Sequence, residues 1–133
     1  MRKFIVLAAV ASVATTFVAP AFGGAEANRN VVVGTNTGQG ALGTAWNSSD
    51  TAQIIGCTLE ATTVGTPSIT AECFATDAFS NSISCESTSP VIVQAIESIN
   101  SDSFITFTVV SDGSTCESIR VETASYLYPK NAE

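Results

Sequence analysis

Histidine is absent from this chain, lysine and arginine together number only five, and there is a single tryptophan. Without histidine there is no Ser-His or Cys-His nucleophile pair, no HExxH metalloprotease helix, and no side chain that titrates unperturbed near neutral pH. Two of the bases, Arg2 and Lys3, sit at the extreme N-terminus. Beyond residue 27 only Arg29, Arg120 and Lys130 stand against eleven acids, a formal charge of −8. Nucleic acids and anionic membrane surfaces are both held by Lys and Arg on phosphate, so neither is an expected partner. A Ser-Lys mechanism would have to use Lys130, in the tail. C-x-x-C pairs, D-x-D-x-D-G runs and a lysine after the glycines of residues 34–40 are all missing. Redox, EF-hand calcium and phosphate-loop chemistry therefore lack their residues.

What is present begins with Arg2-Lys3, an apolar run from Phe4 to about Val18, and small-residue endings, the pattern of a secretory signal peptide. Cleavage fits after Ala19-Pro20-Ala21 or after Ala25-Glu26-Ala27; the second is preferred, making residues 1–27 the leader and leaving 106 residues from Asn28. Pro20, Thr15 and Thr16 weigh against an uncleaved anchor, which needs about 20 apolar residues. The expected location is secreted or periplasmic, with no membrane association after cleavage. In that oxidising setting Cys57, Cys73, Cys85 and Cys116 are expected to form two disulfides.

Residues 28–45 concentrate Asn, Gly, Thr and Gln around Val31-Val32-Val33 and are expected to be a flexible N-terminal arm, since few apolar side chains offset the entropy of ordering the glycines. A single domain is expected over 46–129, with 130–133 a frayed tail. Within it, Thr51 to Thr62 and Ser68 to Thr76 alternate with period two around the turn Val64-Gly65-Thr66-Pro67, and Ile83 with Cys85 marks a third strand after Asp77-Ala78-Phe79-Ser80-Asn81. The period then changes. Ser89 and Pro90 suit an N-cap and first helical position, and Val91, Ile92, Ala95, Ile96 and Ile99 form one apolar stripe closed by Asn100. Strands from Phe104 to Ser111 and from about Glu117 to Tyr128 flank Asp112-Gly113, a hairpin signal. The order βββαββ predicts an α+β fold, one small antiparallel sheet with a helix on one face; an all-β sandwich is the alternative.

Cys57 and Cys73 are equidistant from Gly65, and Cys73 and Cys85 from Phe79, so all three fall in one row of the meander. Cys73 has only one bond to give. The favoured pairing is Cys73 with Cys85 and Cys57 with Cys116, which ties the last hairpin to the first strand. Cys57 with Cys73 and Cys85 with Cys116 is the other credible set, and Cys57 with Cys85 and Cys73 with Cys116 is also open.

No catalytic residue, metal site or cofactor is assigned, and the chain is expected not to be an enzyme. A pair of carboxylates from Asp50, Glu60, Glu72, Asp77, Asp102 and Asp112 is the surviving route to a small hydrolase. Trp46, Tyr126 and Tyr128 bracket the folded region; were the last strand beside the first, they would meet as an aromatic platform for a sugar or peptide. Asn47-Ser48-Ser49 is a glycosylation sequon. The expectation is a small exported domain that binds a protein or glycan. The alternative is a surface-assembly subunit whose 28–45 arm adds a strand to a neighbour.

Overall fold

A computed structural model describes Ala27, residues 29–111, residues 113–127 and Pro129. Residues 1–26, Asn28, Asp112, Tyr128 and the tail 130–133 lie outside the described residues. The chain folds as a strand-rich α+β unit with two antiparallel sheets and two disulfides. Its elements are β1 (Val32–Val33), β2 (Thr37–Ala41), α1 (Leu42–Trp46), β3 (Ile54–Thr62), β4 (Ser68–Thr76), β5 (Ser82–Ser87), α2 (Pro90–Ile96), β6 (Ser103–Val109) and β7 (Cys116–Thr123). From β3 onward this is the expected βββαββ order.

The five strands do not join in one sheet. The meander β3-β4-β5 stands by itself, and β6-β7 belongs to a second sheet ordered β1-β2-β6-β7. The reason lies in β6, whose two edges are both occupied, by β2 and by β7, leaving none for the meander. The partner on one side comes from the segment expected to be a flexible arm, which instead supplies β1, β2 and α1. Its glycines are packing devices. Gly38 lies opposite Phe107 in the ladder, and a Cβ added there would fall 2.5 Å from Phe107 Cζ and 2.9 Å from Ala75 Cβ, so only glycine lets the two sheets approach this closely. A Cβ at Gly40 would stand 3.0 Å from the Val31 backbone.

One apolar core lies between the layers. Ile55, Ala71, Cys73, Ala75 and Cys85 of the meander meet Ile105, Phe107, Val109 and Cys116 of the second sheet, with Ile92, Val93 and Ile96 of α2 closing one end. Phe107 is fully buried, a burial worth roughly 1.5–3 kcal/mol. The helix is shorter than its apolar stripe suggested and rotated from it. Val93 is buried while Val91 is 75% exposed, because positions 92, 93, 96 and 99 follow the 3.6-residue period more closely than a stripe starting at 91. Ser89 is extended as an N-cap should be, but its side chain makes no capping bond. A smaller apolar cluster of Ala41, Phe104 and Leu127, with Tyr126 against it, lies apart from this core.

The cysteines do stand in one row, with Cys57 opposite Cys73 and Cys73 opposite Cys85. The bonds, however, are Cys57–Cys73 and Cys85–Cys116, not the favoured pairing. Antiparallel ladders alternate hydrogen-bonded pairs, about 5.5 Å between Cα atoms, with non-hydrogen-bonded pairs at about 4.5 Å, whose side chains are closer. Cys57 and Cys73 are 4.0 Å apart, a non-hydrogen-bonded pair. Cys73 therefore turns its backbone bonds toward Cys85, and that wider pair is the poorer place for a bridge. Cys85 is left for Cys116, which the 114–115 segment brings beside β5: the Glu86 N–H donates to Ser114 O at 2.8 Å, and Glu86 and Thr115 form a parallel bridge. This second bond staples one sheet to the other.

Candidate binding site at Trp46

Helix α1 is one turn long and ends on Trp46, whose side chain is half exposed. Thr44 within it is buried, and its hydroxyl accepts the Arg29 N–H at 3.2 Å, fastening the helix to the strand segment before it. After Trp46 the chain turns through residues 47–53 into β3. Asp50 organises this turn. Its Oδ1 accepts the backbone N–H groups of Ala52 (2.9 Å) and Gln53 (2.8 Å), and its Oδ2 accepts the Gln53 amide (2.6 Å) and the Ser48 hydroxyl. Gln53 in turn accepts the Val31 N–H through Oε1 at 2.7 Å. These bonds favour the charged carboxylate, the Gln53 amide most, so the Asp50 carboxyl is held well below the usual carboxylate range.

The braced turn forms one wall of a groove of about 740 Å³. Trp46 and Leu42 stand on one side of it, Ile54 and Ile55 on another, and Ile99 and Asn100 from the turn after α2 complete it. The lining is largely apolar, with hydroxyls and amides of Thr51, Asn100 and Ser101 among it. Asn100 is oriented by its own loop, its Oδ1 accepting the Asp102 N–H at 3.0 Å. The sequon side chain of Asn47 donates to Pro129 O at 2.8 Å, so its amide nitrogen is already engaged in the fold.

Of the three aromatic residues singled out from sequence, Trp46 lines this groove and Tyr126 belongs to a separate apolar cluster. Strand β7 pairs with β6 and belongs to a different sheet from β3, so the premise that the last strand runs beside the first fails. Tyr126 packs on the Ala41–Phe104–Leu127 cluster, where the Arg29 guanidinium lies 5.6 Å from its ring and 5.0 Å from that of Phe104. Tyr128 lies outside the described residues. Trp46 thus has Ile54 and Ile99 as groove companions instead. Both were read from sequence as strand and helix positions; their convergence depends on α1, which the glycine-rich composition concealed.

The carboxylates are scattered. Asp77 spends its oxygens on its own turn, accepting the Phe79 and Asn81 N–H groups and the Asn81 side-chain amide, each at 2.9 Å. The Asn81 amide is the main cause of its lowered pKa. Asp102 accepts the Ser101 hydroxyl at 3.0 Å. Glu60 and Glu72 lie on the exposed outer face of the meander, and among the described residues no carboxylate lines the Trp46 groove. Among the described residues no cluster of three metal-ligating side chains forms, and no helix is long and apolar enough to cross a membrane. Compared with family models, with curated proteins and with solved structures, the chain finds no match.

Proposed function

We propose that this protein is a small exported binding module, without a catalytic step, that holds a surface glycan in the groove beside Trp46. The observation that carries this reading is a half-exposed indole at the rim of an apolar groove whose wall is braced by the Asp50 hydrogen bonds. The C–H face of a pyranose ring is apolar and stacks on an aromatic ring, while neighbouring hydroxyls and amides, here Thr51, Asn100 and Ser101, meet its edge. Two disulfides are consistent with an oxidising compartment, and the leader pattern supports export into it.

Because Trp46 is the only tryptophan in the chain, intrinsic fluorescence reports this groove alone. Titration with neutral oligosaccharides of glucose and of N-acetylglucosamine, and with fragments of cell-wall polysaccharide, is expected to give a saturable change for at least one class. Trp46→Ala should abolish binding while circular dichroism stays unchanged. A panel that leaves the emission unaltered, or a Trp46→Ala protein that still binds in calorimetry, would overturn the reading.

A further inference from the structure

We propose that the open edge of β3 takes up an extended polypeptide segment as an added strand, one whose residues alternate apolar and basic. This site is independent of the Trp46 groove. The meander has two edges, and they differ. The edge of β5 is bridged at Glu86 by the chain entering β7. Among the described residues strand β3 has β4 on one side only, and from Thr58 to Thr62 every residue is exposed.

The Cys57–Cys73 geometry fixes which backbone groups face outward. Since that pair is non-hydrogen-bonded toward β4, Cys57 and the residues two and four further on, Leu59 and Ala61, direct their N–H and C=O groups to the free edge. Among the described residues, none of the backbone bonds formed outside the ladders uses them. Edge strands are ordinarily protected by lysine, proline or a bulge. Strand β3 has none of these, its one charge being Glu60 on the outer face: its sequence is IIGCTLEAT, and its register with β4 runs from Ile54 to Thr62 without a shift.

Each face of the added strand is specified. On the inner side, Ala61 and Ile69 of the hairpin and Pro90 and Val93 of α2 border a groove of about 710 Å³ that Gln94 and Glu97 also line, with Leu59 on the same face of β3, ready to receive alternate apolar side chains. On the outer side, Glu72 lies directly opposite Glu86, with Glu60 diagonal to Glu72. Like charges so placed repel. The described bases are engaged away from the meander, Arg120 with Glu122 and Arg29 with the Phe104 and Tyr126 rings. Lysine or arginine at the outward positions of an incoming strand supplies the missing charge. A second copy of this chain would instead bring carboxylates to carboxylates.

Fluorescence anisotropy with a labelled peptide of repeating Val-Lys tests this on the full-length protein purified with its disulfides intact. The controls are a Val-Glu repeat and a block-scrambled Val/Lys peptide of identical composition. The Val-Lys repeat is expected to bind saturably, the scrambled peptide about tenfold more weakly and the Val-Glu repeat not at all. Ala61→Pro removes an outward N–H without touching the β3–β4 ladder and should weaken binding about tenfold. Should that variant not fold, amide-shift mapping on the unaltered protein decides, with Leu59 and Ala61 expected to move most. Equal binding of the ordered and scrambled peptides, shifts confined elsewhere, or self-association through β3 seen in sedimentation would each overturn the proposal.

Discussion

Replacing Gly38 by alanine tests the join between the two sheets with a single methyl group. In an unconstrained strand the change would favour folding by roughly 0.5–1 kcal/mol, because glycine loses more backbone freedom than alanine. Here the new Cβ would lie 2.5 Å and 2.7 Å from two ring carbons of Phe107 and 2.9 Å from Ala75 Cβ. Neither neighbour has room to retreat: Phe107 is fully buried, and the Ala75 methyl is fixed to its own backbone. Overpacking of this kind costs about 1–3 kcal/mol, which exceeds the entropic gain. A net loss near 1–2 kcal/mol corresponds to a fall of roughly 5–15 °C in Tm for a domain of this size.

Thermal unfolding followed by circular dichroism, with the disulfides intact, measures the change. Gly34→Ala is the internal control, since a Cβ there meets only Thr37 at 3.6 Å or beyond and should leave Tm unchanged or raise it. Combining Gly38→Ala with Phe107→Leu should cost less than the sum of the two, with a coupling of about 0.5–3 kcal/mol, because the smaller side chain vacates the space that the methyl needs. Equal behaviour of Gly34→Ala and Gly38→Ala would refute the reasoning and return residues 28–45 to the status of a loose arm.

The two bridges should differ in worth: Cys57–Cys73 closes 16 residues and Cys85–Cys116 closes 31, so chain entropy assigns about 3 and about 3.7 kcal/mol, and paired Cys→Ser variants in urea melts should rank in that order. Peptide mapping under non-reducing conditions should recover these two links and no Cys73–Cys85 species. Asp50 and Asp77 both have folded-state pKa values below the ordinary 3.8, so the stability they add is complete above that pH and drains away as pH falls through their lowered values. Carboxyl carbon titration by NMR should find both still ionised at pH 3.8, and Asp77→Ala should speed amide exchange at Phe79 and Asn81, whose N–H groups it caps.

Much of the scaffold was legible because its signals are local. The β4 limits, the Cys57–Cys73–Cys85 row and the Gly65 turn follow from period-two alternation and from midpoint counting, which a tight hairpin obeys. The β1-β2 half of the second sheet was not legible, because β2 reads TGQGA and carries no apolar alternation. Its inward positions are Gly38 and Gly40, chosen for the space that Phe107 and Val31 occupy, and such a requirement is visible only when the opposing residues are known. The same gap hid α1 and with it the groove at Trp46. Chain turns that involve positive φ were only partly foreseen: Gly65 and Gly113 adopt it as glycines readily do, but so does Ser80, held at φ 65° in the Asp77 turn.

The choice of partner by Cys73 links covalent structure to surface chemistry. Had it bonded Cys85, the close, non-hydrogen-bonded parity would fall between β4 and β5, and Thr58 and Glu60 would turn their backbone groups outward while Leu59 and Ala61 paired with β4. With the bond to Cys57, the outward backbone groups belong to Leu59 and Ala61, whose side chains lie on the inner face toward α2. The residues that offer hydrogen bonds to an added strand are thus the ones that line the apolar side, and the intervening Glu60 holds the acidic side. The ladder parity that makes Cys57 the partner of Cys73 is therefore the same parity that sets the alternation an added strand would have to match.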